Sequence, residues 1–239
     1  MKHLLLLITM CLSLGTIAAQ EYSLFHGTWF NAMFIDALRK TSSVEQAMAA
    51  KGFDEPLYVR IDSTNLDGKV TAGYGLGSSQ QLLILKTSLP KVGMKWAIGT
   101  IDLPMWIVSI DERSQTYISL TKFDSLEGKP IVLGKLPSKN PDPMFMLKRM
   151  VNASVLSGQW VNSKGATTSF TTNMEATMNG NTFPYDLSID SQSYSVTLTS
   201  KQGKPVSYIV QRMGDGLTLT PMHGSKVGQQ PIALKRKTP

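Results

Sequence analysis

Hydrophobic positions change period along this chain, and each change marks an element. Over residues 31–51 apolar side chains recur at helical spacing: Met33, Phe34, Ala37 and Leu38, then Val44, Ala47 and Met48. That spacing gathers them on one helix face. Ser42 with Glu45 three residues later is a capping-box pattern, and Gly52 is a natural stop, so the segment reads as one broken helix or two short ones. From Pro56 the period falls to two. Leu57–Asp62 alternates, and short runs follow at Val70–Leu76, Gln81–Thr87, Lys95–Ile101, Trp106–Asp111, Thr116–Phe123 and Ile131–Leu136. Gly, Pro, Asp or Ser separates them. Asn140-Pro-Asp-Pro143 is the densest break. Met144–Val155 after it reads as a short helix or a connector, with Pro143 tolerated at its first turn. Strands then resume at Gly158–Asn162, Thr168–Asn173, Thr182–Ile189, Tyr194–Thr199, Val206–Gln211, Leu217–Pro221 and Ile232–Arg236. Many short strands at close spacing predict an all-β barrel or sandwich rather than alternating βα units.

Two stretches share landmarks. Gly27-Thr-Trp29-Phe-Asn31 matches Gly158-Gln-Trp160-Val-Asn162, each after an apolar pair. Ile110-Asp111, Tyr117 and Gly128-Lys-Pro130 match Ile189-Asp190, Tyr194 and Gly203-Lys-Pro205. Leu147-Lys-Arg149 and Leu234-Lys-Arg236 then close the two stretches. Ordered landmarks of this kind predict a divergent repeat.

Gly-x-Trp ahead of about eight short strands resembles the opening of lipocalins and their wider calycin relatives. Ile110-Asp111 with Tyr117 is similar to a later motif of that family. Ile131-Val-Leu-Gly-Lys135 before a candidate helix is similar to its last barrel strand. The resemblance implies a mainly antiparallel all-β barrel in which a cation stacks on the tryptophan. The family uses arginine there; this chain has Lys135 in the first unit and offers Arg212 in the second. Trp29, Trp160 and Arg212 are then structural, closing barrel ends: an indole brings a large apolar area and one N–H that needs a partner.

The N-terminus bounds the compartment. Residues 1–19 have a basic start, an apolar stretch from Leu4 to Ile17 and a small-residue end at Ala18-Ala19. The apolar stretch is too short to span a bilayer, which takes about 20 residues, and fits a secretion signal. The expectation is a secreted or periplasmic protein, soluble once the signal is cleaved near Ala19. Cys11 lies inside the apolar stretch behind Met10, which argues against a lipid anchor. It is also the only cysteine, so the mature chain holds itself together without disulfides. Residues 20–155 are expected to form the lipocalin-like barrel, with a short helical insertion at 31–51. Residues 156–239 are expected to form a second, smaller β unit, the divergent copy in the repeat.

Charge alters the picture little. The chain carries +7, but only 17% of its residues are charged and the lysines are scattered. A nucleic-acid binder usually shows a basic stripe, so no nucleic-acid partner is expected. Histidines 26 and 223 have no ligand spacing around them, and no metal or other cofactor is expected. Asn65-Leu-Asp67-Gly68 has the flavour of a calcium loop, but Tyr74 stands where that loop needs its glutamate, so a hairpin is the better reading. No Gly-x-Ser-x-Gly elbow or phosphate loop occurs, so no catalytic residue is assigned and the chain is not read as an enzyme. Binding is easier to motivate. Tyr58, Tyr74, Trp96, Trp106 and Tyr117 fall on strands of the first unit and are the candidate ligand contacts for a small apolar or amphipathic molecule. The alternative is a structural or protein-interaction module with an envelope partner, for which the Ser/Thr-rich second unit would offer the surface.

Overall fold

A computed structural model describes residues 24–52, 54–62, 68–76, 78–89, 93–110, 115–136, 142–201, 205–223, 226–227 and 230–237. The expected signal at 1–19, with Cys11 and Ala19, lies outside the described residues, as do Asn65–Asp67, Asp111 and Asn140.

Alternation of apolar and polar residues produces the strands as expected. The first unit contains β1 (Gly27–Asn31), β2 (Tyr58–Ile61), β3 (Lys69–Gly73), β4 (Ser79–Leu89), β5 (Gly93–Gly99), β6 (Pro104–Ile110), β7 (Tyr117–Lys122) and β8 (Ile131–Lys135). Each pairs antiparallel with the next, and β8 returns to β1, closing an eight-stranded barrel. One face of every strand turns inward. Trp29, Val59, Ile61, Val70, Leu82, Ile98, Trp106, Ile118, Leu120 and Leu133 supply the buried core of this barrel.

Between β1 and β2 the chain forms α1 (Ala32–Thr41) and α2 (Val44–Ala50). The expected cap of the second helix is off by one residue. Ser43, not Ser42, is the N-cap, and its hydroxyl accepts the Gln46 N–H at 3.2 Å. Ser42 instead bends the chain with φ +54°.

The second barrel is preceded by α3 (Pro143–Val151), which is capped by the Asp142 side chain on the Met144 N–H and runs on as a π-helical turn, Asn152–Leu156. Strands follow as β9 (Gly158–Asn162), β10 (Thr167–Phe170), β11 (Glu175–Met178), β12 (Asn181–Ile189), β13 (Val196–Ser200), β14 (Ser207–Met213), β15 (Gly216–His223), β16 (Lys226–Val227) and β17 (Ile232–Arg236). The order β14-β13-β12-β11-β10-β9-β17-β15 closes on itself through the β14–β15 pairing, and β16 extends from β15. A second eight-stranded antiparallel barrel results. Its eighth member is β11, which the sequence pattern does not announce: of Glu-Ala-Thr-Met only Ala176 is buried. Trp160, Phe170, Tyr185, Leu187, Leu198, Leu219 and Leu234 fill its core.

By Cα proximity the described parts of 24–32, 54–74 and 78–136 make one unit, and those of 33–52, 75–76 and 142–237 the other. The helical segment that interrupts the first barrel in sequence is thus grouped with the second.

Two of the sequence landmarks prove not to be equivalent. Ile110 ends β6, the sixth strand of its barrel, whereas Ile189 ends β12, the fourth of its own. Leu147-Lys-Arg149 is helical, while Leu234-Lys-Arg236 is strand. The Gly-x-Trp pair does occupy the same place, the first strand of each barrel.

Outer faces carry aromatic cover over glycine. Tyr58 lies opposite Gly73 across β2–β3, and Tyr117 opposite Gly134 across β7–β8. A Cβ on Gly73 would lie 2.2 Å from Tyr58 Cε1, whereas one on Gly134 would lie 3.4 Å from Tyr117 Cε1. Gly73→Ala should therefore cost about 1–3 kcal/mol through overpacking, more than Gly134→Ala. Urea denaturation checks this, and combining Gly73→Ala with Tyr58→Ala should remove most of the difference between the two sites.

Candidate functional site

Each barrel begins on the same local device. Gly27 and Gly158 sit at φ +133° and +136°, conformations that residues with a Cβ rarely adopt. The turn brings the chain back beneath the tryptophan that follows. Trp29 is wholly buried, and its Nε1–H donates to the Phe25 carbonyl at 2.9 Å. Trp160 is wholly buried too, and its Nε1–H donates to the Leu156 carbonyl at 2.7 Å. In both cases the acceptor is four residues upstream. The one polar atom of each indole is therefore satisfied inside an apolar core.

A cation covers each ring. Lys135 Nζ, from the last strand, stands 5.0 Å from the Trp29 ring centre, and Trp29 lies opposite Lys135 across β1–β8. In the second barrel Arg212 is 5.3 Å and Arg236 6.0 Å from the Trp160 ring. Arg236 lies opposite Trp160 across β9–β17, so it occupies the place of Lys135. Arg212 comes from β14 and does a second job. Its Nη1 donates to the Ser154 and Val155 carbonyls at 2.6 and 3.3 Å, and its Nε to Gly214. Burial, followed by the nearby Arg236, draws its pKa below the ordinary arginine value. Sequence reasoning named Arg212 and missed Arg236, although Ile131-Val-Leu-Gly-Lys135 and Ile232-Ala-Leu-Lys-Arg236 place a cation at the same point of the closing strand.

The Gly-x-Trp-x-Asn motif diverges at its last residue. Asn31 is buried, and its Nδ2 donates to Glu55 Oε2 at 3.0 Å and to the Pro56 carbonyl at 3.4 Å. Asn162 instead accepts the Lys164 and Ala166 N–H groups, both at 2.9 Å, in the turn into β10. The first barrel has helices at that point and the second a short turn, so one residue type serves two backbones.

The five candidate ligand contacts separate into two sets. Tyr74, Trp96 and Trp106 pack against the first barrel's core. Trp96 meets Phe25 edge-on at 6.2 Å, at the end where Trp29 sits, with Lys86 Nζ 5.1 Å from its ring. Tyr74 lies against Trp106 at 6.0 Å, just beyond the end of β3 and toward the other end of the barrel. Tyr58 and Tyr117 are not with them. Their strand neighbours Val59 and Ile118 point inward, so both tyrosines face outward over glycines. Tyr58 also packs on Phe30 at 5.9 Å, and Tyr117 is half exposed.

Tyr74 carries the main anomaly. Its hydroxyl is buried and has no hydrogen-bond partner among the described residues. Burial pushes its pKa up to about 12. The buried phenol of the second barrel is arranged differently. Tyr185 donates to Asn152 Oδ1, and Asn152 Nδ2 donates in turn to the Thr171 carbonyl at 2.9 Å. Burial raises the Tyr185 pKa as well, against the opposing pull of that hydrogen bond. Asn152 is wholly buried in the π-helical turn, so this network fixes α3 to its barrel.

Among the described residues no three His, Cys, Asp or Glu side chains gather as metal ligands, and no helix is long and apolar enough to cross a membrane. Asp190, which follows β12, accepts the backbone N–H and hydroxyl of Ser193 and the Gln192 N–H, which lower its pKa in an exposed turn. Compared with protein-family models, curated proteins and solved structures, the chain matches none.

An unpaired buried hydroxyl opposes folding. Tyr74→Phe should therefore raise stability by about 1 kcal/mol. An unfolded tyrosine ionises near 10 and folded Tyr74 near about 12, so in that window the folded state binds more protons. Stability therefore does not depend on Tyr74 ionisation below pH 10 and falls as pH rises from 10 toward 12, because ionising the buried phenol costs more than leaving it neutral. Chemical denaturation at neutral and alkaline pH should show that loss in the wild type and a smaller one in Tyr74→Phe.

Proposed function

We propose that this is an exported, lipocalin-like protein of two barrels, and that the first barrel binds a small neutral amphipathic molecule at the Tyr74–Trp106 end. The observation that carries the reading is the Tyr74 hydroxyl, a single unpaired polar group beside an indole at the edge of an apolar interior. Binding sites of this kind combine apolar walls with a few polar groups that fix orientation. A ligand that offers Tyr74 a hydrogen-bond acceptor would remove the cost of leaving that group unmade. Export rests on the pattern of residues 1–19, and the lipocalin-like label on Gly-x-Trp with a cation from the closing strand in each barrel.

A protein-interaction module without a small ligand is the second reading. It is favoured by the large side chains in the first barrel's interior and by the hydroxyl pairs Thr177–Thr182 and Thr199–Ser207 on the second.

Quenching of tryptophan fluorescence by dodecanol, a neutral alcohol, together with extraction and mass spectrometry of molecules that copurify with the mature protein, separates the two. The ligand reading expects saturable quenching, weakened roughly two- to tenfold in Tyr74→Phe by loss of one hydrogen bond. A protein that carries nothing and shows no saturable quenching would leave the interaction module as the better account.

A further inference from the structure

We propose a second binding site, on the outside of the second barrel, for an anionic small molecule with an apolar body. A groove of about 440 Å³ runs between α3 and β12, and Met144, Phe145 and Pro184 supply its apolar surface. That size falls within the range of small-molecule sites. It adjoins a further recess of about 550 Å³ lined by Leu187, Ser188 and Thr199, with Asp186 and Lys201 common to both.

The sign of the ligand follows from which charged groups are already engaged. The groove holds three cations, Lys148, Arg149 and Lys201, and two carboxylates, Asp142 and Asp186. Both carboxylates are committed. Asp142 accepts the Met144 N–H at 2.9 Å as the helix cap. Asp186 takes Lys148 on both oxygens at 3.1 and 3.2 Å and its neighbour Leu187 N–H at 2.9 Å. Lys148 is thereby neutralised.

The other two cations are not. Arg149 lies over the Phe145 ring at 5.8 Å and is steadied by the Thr172 carbonyl and Asn173 Oδ1, each at a long 3.5 Å. A guanidinium has five N–H donors, so most remain for a ligand. The Lys201 ammonium has no partner among the described residues, although its backbone N–H is held by the Pro184 carbonyl. An anionic head at Arg149 and Lys201, with its apolar body on Phe145, Met144 and Pro184, satisfies each group that remains. A cationic ligand finds no free carboxylate. Nothing in this site depends on the first barrel.

The test compares 8-anilinonaphthalene-1-sulfonate with its uncharged analogue N-phenyl-1-naphthylamine on the folded mature protein, by fluorescence titration. The sulfonate should bind saturably and more weakly as salt rises. Arg149→Gln with Lys201→Gln, both exposed positions, should raise its Kd roughly tenfold or more. Arg149→Lys, which keeps the charge, should lose less. The uncharged analogue should respond to neither change, and Tyr74→Phe should leave sulfonate binding unaltered. Absence of saturable sulfonate binding, an unchanged Kd in the double variant, or a loss confined to Tyr74→Phe would overturn the proposal. The last result would place the anion in the first barrel instead.

Discussion

Each barrel depends on one buried indole. A closed β-barrel must join its first strand to its last, and here that seam passes over a tryptophan. The indole N–H is met by the carbonyl four residues upstream, and the ring face is covered by a cation from the closing strand. A large apolar side chain, a satisfied donor and a cation–π contact from an exposed cation therefore meet at the point of closure. The glycine two positions earlier is part of the same device, because only its positive φ lets the chain turn beneath the ring. In the second barrel the arrangement is doubled. Arg236 covers the ring from the closing strand, while Arg212 covers it from β14 and ties down the π-helical turn. The same device thus recurs in both barrels, with one motif in the first strand and a cation from the closing strand.

Outside the seam the two barrels differ. The first accommodates helices after β1, so Asn31 turns inward to Glu55 and Pro56 rather than capping a turn as Asn162 does. It also leaves Tyr74 unpaired, whereas the second barrel spends its buried phenol on Asn152. The second barrel's polar network fixes α3 along β12, and the outward side of α3 then forms the wall of a charged groove.

How much of this the sequence disclosed follows from the range of each signal. Two-residue alternation located nearly every strand, because a half-buried strand must alternate. It failed at β11, where Ala176 is the one buried side chain and an alanine is a weak marker. The capping pattern was misplaced by one residue because Ser42 and Ser43 are chemically alike and only the backbone chooses between them. Tyr58 and Tyr117 looked like interior aromatics. Strand parity depends on register, and both cover glycines of a neighbouring strand that alternation alone cannot pair with them. Arg236 was legible in the match of Ile131–Lys135 with Ile232–Arg236, whereas the Asn152–Tyr185 bond and the groove beside α3 depend on contacts between residues far apart in sequence that no local pattern announces.

The central claim is that each barrel is closed locally by its own tryptophan. Hydrogen exchange of Trp160→Leu, compared with the wild type, tests it most directly. The account predicts that amide protection falls along β9 and β17 while β1 and β8 keep theirs, since the first barrel retains Trp29, the Phe25 carbonyl and Lys135. Unchanged protection along β9 and β17, or equal loss in both barrels, would contradict it.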